Sequence, residues 1–219
     1  MRVRSSAAPF SFTLHRVFDH DEIVRLYGPW EVRTPRDAAK LFEGYCGRWW
    51  VAGGWAIEAF TNSPRQHDDL DPSIPRSDVA ALRQHLSGRL DVWAADDGAL
   101  RPLFGQDDLL PATCGNLWLR TSGADPWEYD VILMDITSTR WTYKRDARIN
   151  LPADEILWTR EDISYLRPEV QLLHKAPGLR PKDQADFEAC LPLLEPAPRA
   201  WLRSALGVAH PGHPWIAHL

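Results

Sequence analysis

The sequence predicts an α/β fold of the α+β type, with a mixed sheet flanked by helices and a C-terminal helical part. Its 219 residues are enough for one sizeable core with a small helical appendage. Short apolar runs bounded by turn residues, which are typical of strands, recur as far as Lys144. From Pro168 onward the spacing of apolar residues becomes helical. We therefore expect an α/β domain over residues 1–160 and a helical region packed on it over residues 161–219.

The elements are justified in chain order by caps, turns and apolar spacing. Residues 1–15 have no pattern and are expected to form an extended arm. Thr34 followed by Pro35 and Asp37 is typical of a helix start. Val79, Leu82 and Leu86 share one face of a later helix. The predicted helices are 19–26, 34–45, 54–60, 76–86, 168–175, 182–194 and 197–206, and the predicted strands are 48–52, 69–74, 90–94, 116–121, 128–135 and 140–144.

Composition restricts the class of protein. The net charge is −5 and no block of Lys or Arg occurs, which argues against a general nucleic-acid-binding protein. The three cysteines are scattered and form neither a disulfide framework nor a zinc motif. No apolar run approaches the ~20 residues that span a bilayer, and no signal core follows the basic start. We expect a cytoplasmic protein without membrane contact. Its 11 tryptophans are most simply explained by packing.

The first chemical motif is a pair of glycines at a strand-to-helix turn. Gly53 and Gly54 follow the apolar run Trp49-Trp50-Val51 and precede a helical pattern. Glycine lets the backbone approach a phosphate, and a helix N-terminus adds free N–H groups and a positive dipole end. We interpret the pair as a phosphate-binding turn. A tight turn without a ligand is the alternative.

The second motif is a pair of carboxylates. Asp69 and Asp71 are two residues apart, so in a strand they point to the same face and can share divalent cations. Asp68 would lie on the opposite face in a structural role. His67 is expected to be a hydrogen-bond partner behind the carboxylates, with a phosphate or metal contact as the alternative. Pro72 lacks an N–H, so the strand is expected to be an edge strand or to bend here.

The residues of these two motifs resemble the nucleotidyltransferase superfamily. Gly53-Gly54-Trp55-Ala56-Ile57-Glu58 and Arg65-Gln66-His67-Asp68-Asp69-Leu70-Asp71 are most similar to its aminoglycoside and lincosamide adenylyltransferase-like branch. The resemblance covers residues 49–78. One position departs from the pattern, since Pro72 stands where a hydrophobic residue is usual. In the wider superfamily the residue at the position of Gly54 is often serine.

A third carboxylate is implied by the resemblance. In the family it opens a strand ahead of hydrophobic residues, which points to Asp130 here. Asp135 and Glu128 are the alternatives. Asp130 and Asp135 are an odd number of residues apart, so in a regular strand their side chains point to opposite faces. The third carboxylate would bind the catalytic ion and accept a proton from the attacking hydroxyl.

Basic residues further along the chain are candidates for the nucleotide phosphates. Lys182-Asp183-x-x-Asp186 resembles a signature of C-terminal helices in several nucleotidyltransferase branches, and Lys182 is the first choice, with Lys175 second. An ordinary helix start is the alternative. Arg140, Lys144 and Arg145 are interpreted as part of an exposed strand, with a contact to the triphosphate as the alternative. The three histidines of residues 210–218 are expected to belong to a packed tail that places Trp215 on the body.

The resemblance implies an Mg²⁺-dependent nucleotidyltransferase. Asp69, Asp71 and Asp130 would hold two Mg²⁺ ions, and Gly53, Gly54, Trp55, His67, Lys182 and Lys175 would contact the nucleotide. ATP or another NTP would donate a nucleoside monophosphate to a hydroxyl of a small molecule, with release of pyrophosphate. A role in antibiotic resistance rests on the resemblance alone. Three alternatives stay open: a toxin-like enzyme that modifies tRNA or protein, a non-catalytic nucleotide- or metal-binding regulator, and a structural or interaction domain.

Overall fold

The computed structural model describes residues 20–105 and 108–219, so the predicted arm over residues 1–15 lies outside the described residues. Among these described residues, helices were expected at all seven places where an α-helix forms. Within the described ranges, none of them has the length and apolar character that crossing a bilayer requires. The helices are α1 (His20–Tyr27), α2 (Pro35–Leu41), α3 (Gly53–Thr61), α4 (Val79–Leu86), α5 (Pro168–Lys175), α6 (Pro181–Cys190) and α7 (Pro196–Ala209).

A mixed eight-stranded sheet crosses the molecule, which confirms the predicted fold class. Its strands are β1 (Trp50–Val51), β2 (Pro72–Pro75), β3 (Asp91–Asp96), β4 (Ala99–Pro102), β5 (Asn116–Arg120), β6 (Tyr129–Met134), β9 (Leu157–Arg160) and β10 (Ile163–Leu166), while β7 (Arg140–Thr142) and β8 (Asn150–Pro152) form a separate pair. The order is β4-β3-β5-β6-β2-β1-β10-β9. β2 runs parallel to β6, and β1 runs parallel to β10, whereas the other neighbours are antiparallel.

The sequence did not reveal β4, β8, β9 and β10, which have three or four residues each. Such short segments show too few alternations to be distinguished from loops. β10 pairs with the central strand β1, so the main sheet continues to Leu166, beyond residue 160. The division of the chain into two parts at residue 160 stays a prediction.

The strand expected over residues 69–74 differs from the prediction in where it begins and in its position within the sheet. β2 begins only at Pro72, and it lies in the interior of the sheet between β1 and β6 rather than at an edge. Proline is tolerated because neighbouring strands donate the hydrogen bonds. The Ala52 N–H donates to the Asp71 carbonyl at 2.9 Å, and the Asp130 N–H donates to the Leu70 carbonyl at 3.1 Å. The segment before Pro72 therefore stays aligned with its neighbours because its carbonyl groups accept hydrogen bonds, for which no proline N–H is needed.

Two apolar clusters pack on opposite faces of the central strands. In β1, Trp50 belongs to the first cluster and Val51 to the second, because successive side chains of a strand point to opposite faces. The first cluster joins α3 to α5, α6 and α7. The second joins one face of β3, β5 and β6 to α2 and α4. As predicted, the tail packs on the body, where the Trp215 ring stacks on Phe187 with centroids 4.4 Å apart.

Candidate active site

The pairing of β2 with β6 brings three aspartates together. Ser73 lies opposite Ile132 in this parallel pair, so two residues earlier on each chain segment Asp71 comes opposite Asp130. The Asp130 N–H bond to Leu70 shows that the pairing extends this far. Asp69 precedes Asp71 by two residues. All three aspartates line one cavity of about 590 Å³.

The carboxyls in this cavity repel one another. Desolvation, followed by the charges of Asp69 and Asp130, raises the pKa of Asp71 well above its usual range. Desolvation also raises the pKa of Asp130 to about 7, and the Asp69 charge adds to this. The Asn116 amide opposes the shift of Asp130 by donating from Nδ2 to Oδ1 at 2.7 Å. The arrangement is therefore a concentration of negative charge that only a cation or protons can offset.

The donor set fits a hard divalent cation, although the side chains do not surround a common centre. Within residues 20–105 and 108–219, no three His, Cys, Asp or Glu side chains are arranged closely enough to hold a metal ion. The three aspartates nevertheless offer only carboxylate oxygens, the ligands that Mg²⁺ prefers. A bound cation would also relieve the repulsion that raises the pKa values of Asp71 and Asp130.

The two alternatives for the third carboxylate lie elsewhere. Asp135 pairs with Arg76, with Nε and Oδ1 3.1 Å apart. Glu128 accepts hydrogen bonds from Arg33 at 2.6 Å and Thr121 at 2.8 Å. Neither lines the cavity of the three aspartates. Of the three carboxylates considered, Asp130 is the one that strand pairing places opposite Asp71.

The glycine pair leaves space for two charged groups. Gly53 has a φ of +65°, and a Cβ at this residue would lie 1.7 Å from Oδ2 of Asp71. A Cβ at Gly54 would lie 2.1 Å from Nη2 of Arg65. The Gly53 N–H donates to Oε1 of Gln171 at 2.8 Å, so this amide already has an acceptor. Glycine is therefore needed at both positions because the Asp71 carboxylate and the Arg65 guanidinium occupy the space that a side chain would take. The sequence motif alone did not reveal this requirement.

Trp55 and His67 form a stacked pair beside this turn. Their ring centroids are 4.0 Å apart, and His67 Nε2 lies 2.8 Å from Oε2 of Glu58. Burial is the main reason why the pKa of His67 is lowered. His67 lines the main cavity, whereas Trp55 lines a smaller pocket with Glu58. A nucleotide contact of either residue stays a prediction.

Basic residues from the C-terminal part of the chain line the same cavity. Lys175 in α5 is buried and forms ion pairs with Asp183 at 3.1 Å and with Asp186 at 2.9 Å. Lys182 is more exposed, and its Nζ lies 3.6 Å from Oδ2 of Asp68. Asp68 therefore also faces the cavity, in contrast to the expectation, because the segment before Pro72 is not a regular strand.

Other cavity residues were not identified as site residues from the sequence. Lys144 and Arg145 are exposed, as expected, yet they also line the cavity. Their position directly after the buried residues Trp141 and Tyr143 was the available signal. Further additions are Asn116 and, more than fifty residues later, Gln171, His174 and Arg180. The cavity thus combines a group of carboxylates with a group of cations.

Comparison with known proteins gives similarities of fold. No protein-family model and no curated protein matches the chain. The lincosamide antibiotic adenylyltransferase LnuA, solved with bound lincomycin, has a TM-score of 0.48 and 18% identity over 70% of this chain and 92% of that chain. ANT(2")-Ia, solved in complex with adenylyl-2"-tobramycin, has a TM-score of 0.48 and 13% identity over 79% of this chain and 95% of that chain. The solution structure of the antibiotic-resistance factor ANT(2")-Ia has a TM-score of 0.45 and 17% identity over 79% of this chain and 89% of that chain. These likenesses are of fold alone and at low sequence identity.

Proposed function

We propose that the chain is a metal-dependent nucleotidyltransferase that transfers a nucleoside monophosphate from an NTP, most simply AMP from ATP, to a hydroxyl of a small molecule. The observation that carries this proposal is the register that aligns Asp71 with Asp130 in a cavity also lined by Lys144, Lys175 and Lys182. Carboxylates for cations and ammonium groups for phosphates are the two requirements of nucleotide chemistry.

Each group of the cavity has a task in this reaction. Asp69, Asp71 and Asp130 are the residues that would hold Mg²⁺, and the bound metal would supply charge neutralisation at the phosphate oxygens. Lys182 and Lys144 attract the polyphosphate as mobile cations. Arg65 lies over the glycine turn and is fixed by Asp186 with Nε and Oδ1 3.2 Å apart, so it adds a preorganised donor.

The transfer itself requires one proton acceptor. The acceptor oxygen bonds to the α-phosphorus while the bond from that phosphorus to the bridging oxygen breaks, and pyrophosphate leaves. The Asp130 carboxylate receives the hydroxyl proton. Asn116 orients Asp130 through the hydrogen bond to Oδ1. Positioning and charge neutralisation provide most of the rate.

The test is release of pyrophosphate from each NTP with Mg²⁺, in the presence of aminoglycosides, lincosamides and small polyols. We expect acceptor-dependent release that is lost in Asp69→Asn and Asp130→Asn. Asp135→Asn is the matched control, because it removes the same charge from the same strand region outside the cavity. Equal loss in Asp135→Asn, or release that persists in Asp130→Asn, would contradict the assignment. Mg²⁺-dependent ATP binding without release would favour a macromolecular acceptor.

A further inference from the structure

Gln171 of α5 is a buried polar residue whose side chain reaches the glycine turn. It is 6% exposed and lines the main cavity. The Gly53 N–H donates to its Oε1 at 2.8 Å. Because a backbone N–H donates and never accepts, the amide atom that faces Gly53 must be the oxygen. This one hydrogen bond therefore fixes the orientation of the whole carboxamide.

The nitrogen of the same carboxamide has no partner in the protein. Within residues 20–105 and 108–219, no acceptor lies within hydrogen-bond distance of Nε2 of Gln171. Buried side-chain donors are rarely left in this state. Since the oxygen is turned toward α3 and the residue lines the cavity, the nitrogen is the polar atom that Gln171 offers to a bound molecule. An amide nitrogen donates only, so its partner must be an acceptor atom and not a metal ion.

The start of α3 shows why a further donor is needed here. The first four amides of a helix, counted from the residue before it, have no acceptor within the helix. Ala52 and Gly53 donate to other parts of the chain, whereas Gly54 and Trp55 have no acceptor among the described residues. The Gly53 N–H is therefore not available to a ligand. Nε2 of Gln171 supplies a donor to the cavity in its place.

The charges around this donor favour an anion that carries a cation. Gln171 and Lys175 are four residues apart in α5 and share one face of the helix, and both line the cavity. The Arg65 guanidinium lies against Gly54. The Asp71 carboxylate lies against the same turn and would repel a free anion. A phosphate group with a bound divalent cation satisfies both signs of charge.

We propose that Gln171 binds the polyphosphate of the nucleotide, with Nε2 donating to a phosphate oxygen beside the start of α3. Gly53 then supports Gln171 and does not itself contact phosphate. The glycine motif alone would assign the contact to the Gly53 N–H. The inference rests on the proposed function, because it requires a nucleotide in the main cavity.

Two substitutions separate phosphate binding from support of the glycine turn. Gln171→Glu keeps an oxygen for the Gly53 N–H and loses the donor, whereas Gln171→Met has a similar length and loses both. Calorimetric titration of the full chain with Mg²⁺ and either α,β-methylene-ATP or inorganic tripolyphosphate measures the affinities. We expect both variants to bind both ligands about tenfold or more weakly, because a hydrogen bond to a charged group is lost. Only Gln171→Met should melt at a clearly lower temperature.

Gln184→Met is the matched control. The Gln184 amide also uses both of its polar atoms, since it accepts from Trp215 at 2.7 Å and donates to Glu188 at 2.7 Å. It does not line the cavity. We therefore expect Gln184→Met to lower the melting temperature and to leave both affinities unchanged.

The side-chain amide signal of Gln171 gives a direct readout. In nitrogen–proton correlation spectra, the pair of amide signals that is missing from Gln171→Met identifies this group. We expect one of its two protons to move downfield when Mg²⁺ and tripolyphosphate are added, because that proton becomes bonded to a charged oxygen. Adenosine, which has the base and the ribose without phosphate, should leave the signal in place.

The outcomes separate this inference from the proposed function. Wild-type affinity in either Gln171 variant, an amide signal that does not move, or equal loss in Gln184→Met would overturn the inference alone. A loss confined to the nucleotide, or no binding of tripolyphosphate to the wild type, would assign the contact to the ribose or base and would overturn it as well. Failure of the wild type to bind the Mg²⁺-nucleotide complex would overturn the proposed function, and the role of Gln171 would fall with it.

Discussion

At the scale of single residues, Gly53 is the most constrained position of the site. Its φ of +65° is a region that L-residues with a side chain adopt at a cost, and the space of a Cβ is occupied by the Asp71 carboxylate. Backbone conformation and electrostatics are therefore coupled at this residue. A side chain at residue 53 would displace the Asp71 carboxylate, which the proposed function requires for cation binding.

Gly53→Ala is expected to lower the free energy of unfolding by about 3 kcal/mol and the transfer rate by about 100-fold, because it adds strain and displaces Asp71. Gly88→Ala, with a φ of +73° and open space, is the control for strain alone and should cost about 1 kcal/mol. Gly207→Ala, in α7 with open space, should be neutral or stabilising. Urea unfolding and pyrophosphate release measure both effects. Normal activity in Gly53→Ala would contradict the role of this contact.

His174 is a second residue whose environment has a measurable consequence. Its ring meets Trp141 and Tyr143 at centroid distances of 5.8 and 5.2 Å, and Nε2 has no hydrogen-bond partner within the described part of the chain. Burial, together with Lys144 and Arg145, lowers the pKa of His174 to about 3 from 6.5. Below pH 6.5 the His174 side chain therefore binds a proton in the unfolded chain, whereas in the folded chain it stays neutral until the pH is near 3.

His174→Phe is expected to reduce the loss of stability in acid. As pH falls from 6.5 toward 3, the wild type should lose up to about 1.4 kcal/mol more per pH unit than the variant, because only the unfolded wild type protonates this side chain. Urea unfolding at pH 7, 6 and 5 measures the difference. His218→Phe, at an exposed position near the C-terminus, is the control. Parallel pH curves for wild type and His174→Phe would refute the prediction.

Sequence reasoning identified site residues where the chemistry lies within one local motif. Gly53, Asp69 and Asp71 occur within twenty residues, whereas Asp130 was implied by the family resemblance and not by local spacing. Gln171, which accepts from Gly53, is 118 residues away from it. Such a partner depends on how β10 and α5 pack against β1, and no local pattern contains that information.

At the scale of elements, α6 organises the cations of the cavity. Asp183 accepts from Lys175 at 3.1 Å and from Arg180 at 2.7 Å. Asp186 pairs with Lys175 at 2.9 Å and with Arg65 at 3.2 Å. One face of this helix therefore holds three cations from three segments of the chain. The carboxylates of the predicted Lys-Asp-x-x-Asp pattern act as anchors for neighbouring cations.

Asp186→Asn is expected to destabilise the fold by about 3 kcal/mol, because it leaves the cations of a buried network with one carboxylate fewer. We also expect KM for the nucleotide to rise, since Arg65 loses its anchor. Glu188→Gln removes the same charge from the exposed face of the same helix and should change stability by less than about 0.5 kcal/mol. Thermal unfolding and nucleotide titration measure the pair. Equal effects of the two substitutions would exclude the anchoring role.

Helices were predicted more completely than strands, and the reason is length. The helices α3 to α7 have eight or more residues, enough for two turns of apolar spacing or for a proline start. β8, β9 and β10 have three or four residues and gain their definition from partners elsewhere in the chain. The interior place of β2 was missed because the segment before Pro72 is held by N–H donors from Ala52 and Asp130, which lie elsewhere in the chain.

At the scale of the whole molecule, the cavity joins the two apolar clusters. Asp130 lies in the sheet and Asp69 and Asp71 lie just before one of its strands, whereas Lys175 and Lys182 belong to helices that contribute to the first cluster. A nucleotide with its cations would contact both groups of charges at once. Without such a ligand the carboxylates repel one another. Ligand binding is therefore expected to stabilise the entire fold rather than one loop.

Mg²⁺ together with a non-hydrolysable ATP analogue should raise the melting temperature. At a ligand concentration 100 times the Kd, the gain is about 2.7 kcal/mol, or roughly 5–10 °C for a chain of this size. The gain should vanish with EDTA, because the polyphosphate would then meet Asp69, Asp71 and Asp130 without a cation between them.

Asp71→Asn should retain at most a small part of the gain, whereas Asp135→Asn should retain all of it, since its carboxylate pairs with Arg76 outside the cavity. Differential scanning fluorimetry measures these shifts. A shift of equal size in EDTA would mean that the nucleotide binds by its base and sugar alone, and the metal-dependent mechanism would be wrong.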